Sequence, residues 1–174
     1  MSDALPPIER RRLVAHTDAR GSLRETWRRS SQPIDVRQAL VTMSQPGALR
    51  GMHYHLRQSD LCFVAAGSVF MALLDLRTDA LTKDEFWLDA SESVLIPAGV
   101  AHGYATRDGA TMCYLLSHEV DGSDEFGFRY DDPDAAIDWP ISEPILSARD
   151  RDAGALSDAV SAVRRHLDRI ARAR

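Results

Sequence analysis

The stretch from Gly47 to Gly67, GALRGMHYHLRQSDLCFVAAG, decides how this chain is read. On an extended strand, side chains two residues apart point to the same face, so His53 and His55 project together. Asp60 follows them, and an apolar run then closes at Gly67. Further along, Ile96-Pro97-Ala98-Gly99-Val100-Ala101-His102 supplies a strand end, a Pro/Gly turn and another histidine. This places a polar site on a framework of short strands.

The rest of the chain agrees with that framework. Ser22 to Trp27, Asp35 to Ser44, Leu49 to His55, Leu61 to Ala66 and Ser68 to Arg77 are short β-prone runs separated by Gly, Pro or polar clusters. Glu85 to Leu88, Ser93 to Ile96, Gly103 to Thr106 and Thr111 to Leu116 continue the series, which predicts a sandwich or barrel. Residues 1 to 12 carry prolines and a charged run and are expected outside the core or along a partner subunit. Asp121 to Asp138 reads as an acidic surface excursion, in which Asp131-Asp132-Pro133 forbids a regular helix. Long loops of this kind more often carry function than not. From Asp152 to Arg174, Leu156, Val160, Val163, Leu167 and Ile170 mark one face of a helix. The arginines crowding its last turns suit the helix dipole and a solvated face.

With 174 residues, the chain has the size of one domain with a substantial core. Its 21 basic and 26 acidic residues argue against partnership with nucleic acid or anionic membrane. No apolar stretch is long enough to span a bilayer, and MSDALPPIERRR has no apolar signal core, so a cytoplasmic protein is expected. Cys62 and Cys113 lie in apolar runs and read as buried free thiols that serve packing.

The spacing Gly47, five residues, His53, one residue, His55, four residues, Asp60, six residues, Gly67 resembles the first half of the cupin signature, with Asp where Glu is usual. The second half keeps Pro97, Gly99 and His102 without the opening Gly or closing Asn. The expected fold is therefore mainly β: a cupin-type jelly-roll β-barrel over about residues 13–150 with a C-terminal α-helix over 152–174. A longer ordered set carries a closer resemblance. It comprises Arg20-Gly21, Glu25, Gln38, Leu49-Arg50-Gly51-Met52-His53-Tyr54, Asp75-Leu76-Arg77, Ile96 to Tyr104, Tyr114, Asp131-Asp132-Pro133, Ile137-Asp138-Trp139-Pro140 and Leu146-Ser147-Ala148-Arg149-Asp150. In this order the chain resembles the dTDP-4-dehydrorhamnose 3,5-epimerases from about residue 13 to residue 150.

The resemblance implies a homodimer that needs no cofactor and epimerises a nucleotide-linked 4-keto-6-deoxy sugar at C3, C5 or both. Protons on those carbons are adjacent to a carbonyl, so one can be removed to give an enolate and returned on the other face. By resemblance His53 is the base, Asp150 its carboxylate partner and Tyr114 the opposing proton donor. Arg50 and His102 would line the sugar and pyrophosphate end. Arg20, Glu25 and Gln38 would hold the nucleotide, the Arg20 segment reaching across a dimer interface.

Several positions depart from the family. Its lysine near the enolate falls at Asp60, a charge reversal, and the loop between His53 and this position is about three residues shorter than is usual in the family. Leu40, Leu23 and Val120 replace an asparagine, an aromatic and a second tyrosine. Asp60 would hydrogen-bond sugar hydroxyls or pair with Arg57. Two alternatives stay open. His53, His55, Asp60 and His102 form a candidate ligand set for a divalent metal, as in a metal-dependent isomerase or dioxygenase. Tyr114 and Asp150 favour the metal-free arrangement, since a metal-bound His53 is no longer a free base. A binding protein without turnover is the other alternative.

Overall fold

A computed structural model describes residues 6–32 and 34–173. Its strands are β1 (Glu9–Arg12), β2 (Ala15–Asp18), β3 (Gly21–Arg24), β4 (Gln38–Ser44), β5 (Leu49–Tyr54) and β6 (Asp60–Gly67). They continue with β7 (Val69–Asp75), β8 (Lys83–Leu88), β9 (Glu92–Ile96), β10 (Val100–Ala105), β11 (Ala110–Leu116) and β12 (Phe126–Gly127). A short helix α1 (Ala148–Arg151) and the long α2 (Leu156–Arg172) complete the chain.

Ten strands make two antiparallel sheets, β1-β9-β6-β11-β4 and β12-β5-β10-β7-β8, while β2 and β3 pair only with each other. The fold is mainly β with a C-terminal helix, as the sequence predicts. The sheets are not closed into a barrel: the ladders end at β1 and β4 on one sheet and at β12 and β8 on the other. Residues 9–12, expected outside the core or along a partner subunit, form an exposed edge strand on β9. Strand β10 begins at Val100 rather than Gly103, so His102 lies inside a strand.

Alternation of side chains gives each sheet two faces and the molecule two apolar layers. Between the sheets, Cys62, Val64 and Met112 of the first meet Met71, Leu73 and Tyr104 of the second. Burial of each such aliphatic side chain contributes about 1.5–3 kcal/mol. On the outer face of the second sheet, Met52, Ala72, Leu74 and Ala101 pack against Leu156, Ala159 and Val163 of α2. The helix thus buries the start of its predicted stripe, whereas Ile170 near its end is 41% exposed. Cys62 is buried and Cys113 only partly so, and both are free thiols. No helix among the described residues is long and apolar enough to cross a membrane.

Candidate active site

Strands β5 and β10 bring the histidines together. His102 pairs in register with His53, and the ladder shifts between His102 and Tyr104. Close approach of Gly51 and Gly103 permits this pairing: a Cβ on Gly51 would lie 2.6 Å from the Gly103 Cα, and Gly51 holds φ +145°. Downstream, the Pro97–Gly99 turn is tied back when the Gly99 N–H donates to the His55 carbonyl at 2.7 Å.

A cavity of ≈ 230 Å³ opens between the two sheets, with His53, His55 and His102 on one side and Asp60 and Tyr114 on the other. Arg50, Leu40 and Val120 also line it. His53 Nε2 lies 2.6 Å from Asp150 Oδ1, a carboxylate ninety-seven residues away. Asp150 sits in α1, where its own N–H donates to the Ser147 hydroxyl at 3.1 Å. Burial alone would raise the Asp150 pKa; the His53 hydrogen bond and charge, with Ser147 and the Gly51 backbone, outweigh it and hold the carboxyl below its ordinary value. An ionised carboxylate only accepts, so His53 Nε2 carries the hydrogen, and in the neutral imidazole Nδ1 is then the lone pair.

Tyr114 comes from β11 in the opposite sheet, and no hydrogen bond to its hydroxyl is made by the described residues. Burial, reinforced by Tyr104, Cys62 and Asp60 and opposed by Arg50, keeps its phenol protonated well above the ordinary tyrosine range. The neighbouring Tyr104 hydroxyl is engaged instead, 2.9 Å from Thr42 Oγ1 and 2.8 Å from Ser44 Oγ. Arg50 donates through Nε to the same Ser44 hydroxyl at 3.0 Å.

Asp60 is buried and accepts from the Gln58 amide at 2.8 Å. Its other oxygen is 3.6 Å from His55 Nε2 and 3.5 Å from His102 Nε2. Burial alone would raise the Asp60 pKa, but the two imidazoles and Gln58 hold it low. For His55, burial pushes the pKa down, yet Asp60, the Asp124 carbonyl and Glu125 together leave it above the ordinary value. His102 goes the other way: burial, only partly offset by Asp60, lowers it to about 4.

The candidate ligand set divides. His55, Asp60 and His102 gather within one small space, and His53 is not among them because its Nε2 faces Asp150. Asp60 does not pair with Arg57, whose guanidinium instead reaches Ser123 and Asp124. Gln38 stands at the start of β4 and accepts from the Val120 N–H at 2.7 Å. Arg20, in the turn of the exposed β2–β3 hairpin, and Glu25, just after β3, lie outside this cavity and pair with Asp18 and Arg28.

Sequence reasoning missed Asp124, Gln58, Glu125 and Arg149. The Asp124 carboxylate accepts from the backbone N–H groups of Leu56, Arg57 and Gln58 at 2.8, 3.0 and 3.0 Å, and its carbonyl lies 2.6 Å from His55 Nδ1. One residue of the acidic excursion therefore shapes the short loop between His55 and Asp60. Glu125 and Arg149 line the cavity, 3.3 Å apart. Position in an acidic loop was the only sequence signal for Asp124 and Glu125.

The chain as a whole is similar to known sugar-nucleotide epimerases. A dTDP-4-dehydrorhamnose 3-epimerase of Streptomyces niveus is 36% identical over 74% of this chain and 66% of its own length. NovW of Streptomyces spheroides, a 4-keto-6-deoxy sugar epimerase from the novobiocin biosynthetic gene cluster, superimposes with a TM-score of 0.82 at 30% identity, covering 90% of this chain and 86% of its own. ChmJ of Streptomyces bikiniensis, a 3′-monoepimerase in complex with dTDP-quinovose, also gives a TM-score of 0.82, at 28% identity over 95% and 94% of the two chains. The family model for dTDP-4-dehydrorhamnose 3,5-epimerase matches residues 6–158, and the chain belongs to that family.

Proposed function

We propose that this protein epimerises a nucleotide-linked 4-keto-6-deoxy sugar, with dTDP as the nucleotide, during deoxysugar or surface-polysaccharide biosynthesis in the cytoplasm. The observation that carries this reading is the His53–Asp150 pair at 2.6 Å on one wall of a cavity whose opposite wall holds Tyr114. His53 takes the proton next to the ketone through Nδ1, and the Asp150 carboxylate stabilises the imidazolium that results. Tyr114, protonated and reaching in from the other sheet, returns a proton on the opposite face. Arg50, Asp60 and His102 contact the sugar and pyrophosphate end, and Gln38 supports the nucleotide end through the Val120 loop.

Arg20 and Glu25 complete the nucleotide site when a second copy brings its hairpin across. A dimer has support in the molecule: β4 pairs with β11 on one side and is an edge strand on the other among the described residues, and its outward Val41 and Met43 are 65% and 77% exposed. Nucleic acid and membrane are not partners in this reading.

Proton NMR of dTDP-4-keto-6-deoxyglucose incubated with the enzyme tests the proposal. Inversion at C3, at C5 or at both supports it and names the carbon. An unchanged sugar after prolonged incubation with folded enzyme overturns it.

A further inference from the structure

One set of polar groups around the cavity has no place in the proton transfers of His53 and Tyr114. Thr42 and Ser44 of β4, Arg50 of β5 and Tyr104 of β10 form an unbroken chain of hydrogen bonds. Tyr104 stands opposite Arg50 in the β5–β10 ladder, and its hydroxyl reaches across to the other sheet, 2.9 Å from Thr42 Oγ1 and 2.8 Å from Ser44 Oγ. Arg50 Nε donates to the same Ser44 hydroxyl at 3.0 Å. The Tyr104 ring belongs to the apolar layer between the sheets, with Met71, Leu73 and Met112, a setting that a phenylalanine would also suit. Its hydroxyl is therefore an addition to the core, and Ser44 and Thr42 are what it serves.

Hydrogen counting gives the chain a direction. A guanidinium has hydrogens to give and no lone pair to accept with, so Ser44 Oγ is the acceptor. An oxygen that accepts from a charged donor becomes a better donor itself, so Ser44 gives its hydrogen to Tyr104, and Tyr104 gives its own to Thr42. Ser44 and Tyr104 are buried, which keeps water from competing for these bonds. The Arg50 side chain is thus held at Nε before any ligand arrives, and much of the rotamer freedom of an arginine is already spent. Among the described residues neither terminal nitrogen of Arg50 has a hydrogen-bond partner. Together they form the end of the guanidinium fork, which binds two oxygens of one anion. Arg50 is exposed and lines the cavity, which puts it at the mouth. At ≈ 230 Å³ the cavity is smaller than the roughly 300–1,000 Å³ of sites that enclose a drug-sized ligand. It takes the sugar ring, and the diphosphate of a nucleotide sugar lies at the mouth, beside Arg50.

We propose that Tyr104 is a positioning residue for Arg50: acting through Ser44, its hydroxyl holds the guanidinium so that both terminal nitrogens bind the diphosphate of the substrate. The geometry of this role rests on the hydrogen-bond chain, and its ligand rests on the nucleotide-sugar reading. A diphosphate carries its charge before, during and after enolisation, so the contact serves binding and not the chemical step.

Tyr104→Phe keeps the ring and removes the hydroxyl. Steady-state kinetics with dTDP-4-keto-6-deoxyglucose should show KM raised about tenfold and kcat changed by less than about twofold. Calorimetry with dTDP alone, which needs no turnover, should show Kd weakened by the same factor. A general loosening of the protein would not act through Arg50, so the change is repeated in Arg50→Ala. In that background Tyr104→Phe should weaken dTDP binding by less than about a further twofold. Ser44→Ala should reproduce Tyr104→Phe, and it carries the test if circular dichroism shows that Tyr104→Phe does not fold. Wild-type KM and dTDP affinity in folded Tyr104→Phe, or a full tenfold loss again in the Arg50→Ala background, would overturn the positioning role. A wild-type protein that binds no dTDP overturns it as well. Either result leaves the epimerase reading to be judged by the sugar product, and a lack of product with dTDP still bound counts against that reading alone.

Discussion

The HxH pair at the end of β5 and just beyond it sends two histidines into very different surroundings. His53, a quarter exposed at its side chain (24%), meets a carboxylate that arrives from the far end of the chain. His55, 7% exposed, is enclosed by Asp60 at the start of β6, Gln58 in the β5–β6 loop, and Asp124 and Glu125 in the segment before β12. Both point into one cavity, yet only His53 combines access with a tight carboxylate partner. Identical residue types two positions apart acquire different chemistry from what the fold places behind them.

Replacing His53 should have the largest effect. His53→Asn is expected to lower kcat/KM by about 10³–10⁴, the range for loss of a positioned general base. Steady-state kinetics checks this; a loss under about tenfold would erase the contrast with His55. Tyr114→Phe should cost about 10² in epimerisation while leaving loss of the substrate proton to solvent largely intact. Proton NMR in deuterated water separates the two, because His53 still removes a proton that the opposite wall can no longer return.

Asp124→Ala probes the other region. It removes the acceptor of three backbone N–H groups and should destabilise the protein by about 3 kcal/mol in urea titration. Asp150 gives the smallest effect, seen in pH dependence. Its folded pKa is lowered, so its stabilisation is complete above the unfolded carboxyl value of about 3.9 and is lost as pH falls through the lower folded value. Denaturant midpoints from about pH 7 down to about pH 2 should therefore fall less steeply in Asp150→Asn than in wild type.

The strand series was legible because alternation and turn residues are local signals, and the stripe on α2 was legible for the same reason. Closure was not: whether β4 and β8 join neighbours or remain edges depends on distant ladders that no local pattern records. Residues 9–12 lie outside the core as exposed strand β1, but their pairing with β9 was not legible, because a charged run on an edge strand looks like a tail. In the site, His53, Tyr114 and Asp150 came from an ordered resemblance, and the structure sets His53 beside Asp150 and places Tyr114 on the facing sheet. The division of the histidine–carboxylate set could not be read from spacing. On a flat strand His53 and His55 are equivalent, and only the return of α1 to β5 claims one of them. The role of Asp124 was not legible beyond its place in an acidic loop, because it accepts from backbone groups, which carry no sequence signature.

Solvent deuterium exchange tests the central claim most directly. Wild-type enzyme and His53→Asn are incubated with dTDP-4-keto-6-deoxyglucose in deuterated water, and the C3 and C5 proton signals are followed by NMR. Loss of one or both signals with wild type, and neither with His53→Asn, is the predicted result and identifies the enolising base. Equal exchange in the two proteins, or none in wild type, would contradict the assignment of His53 and Asp150 as the pair that begins the reaction.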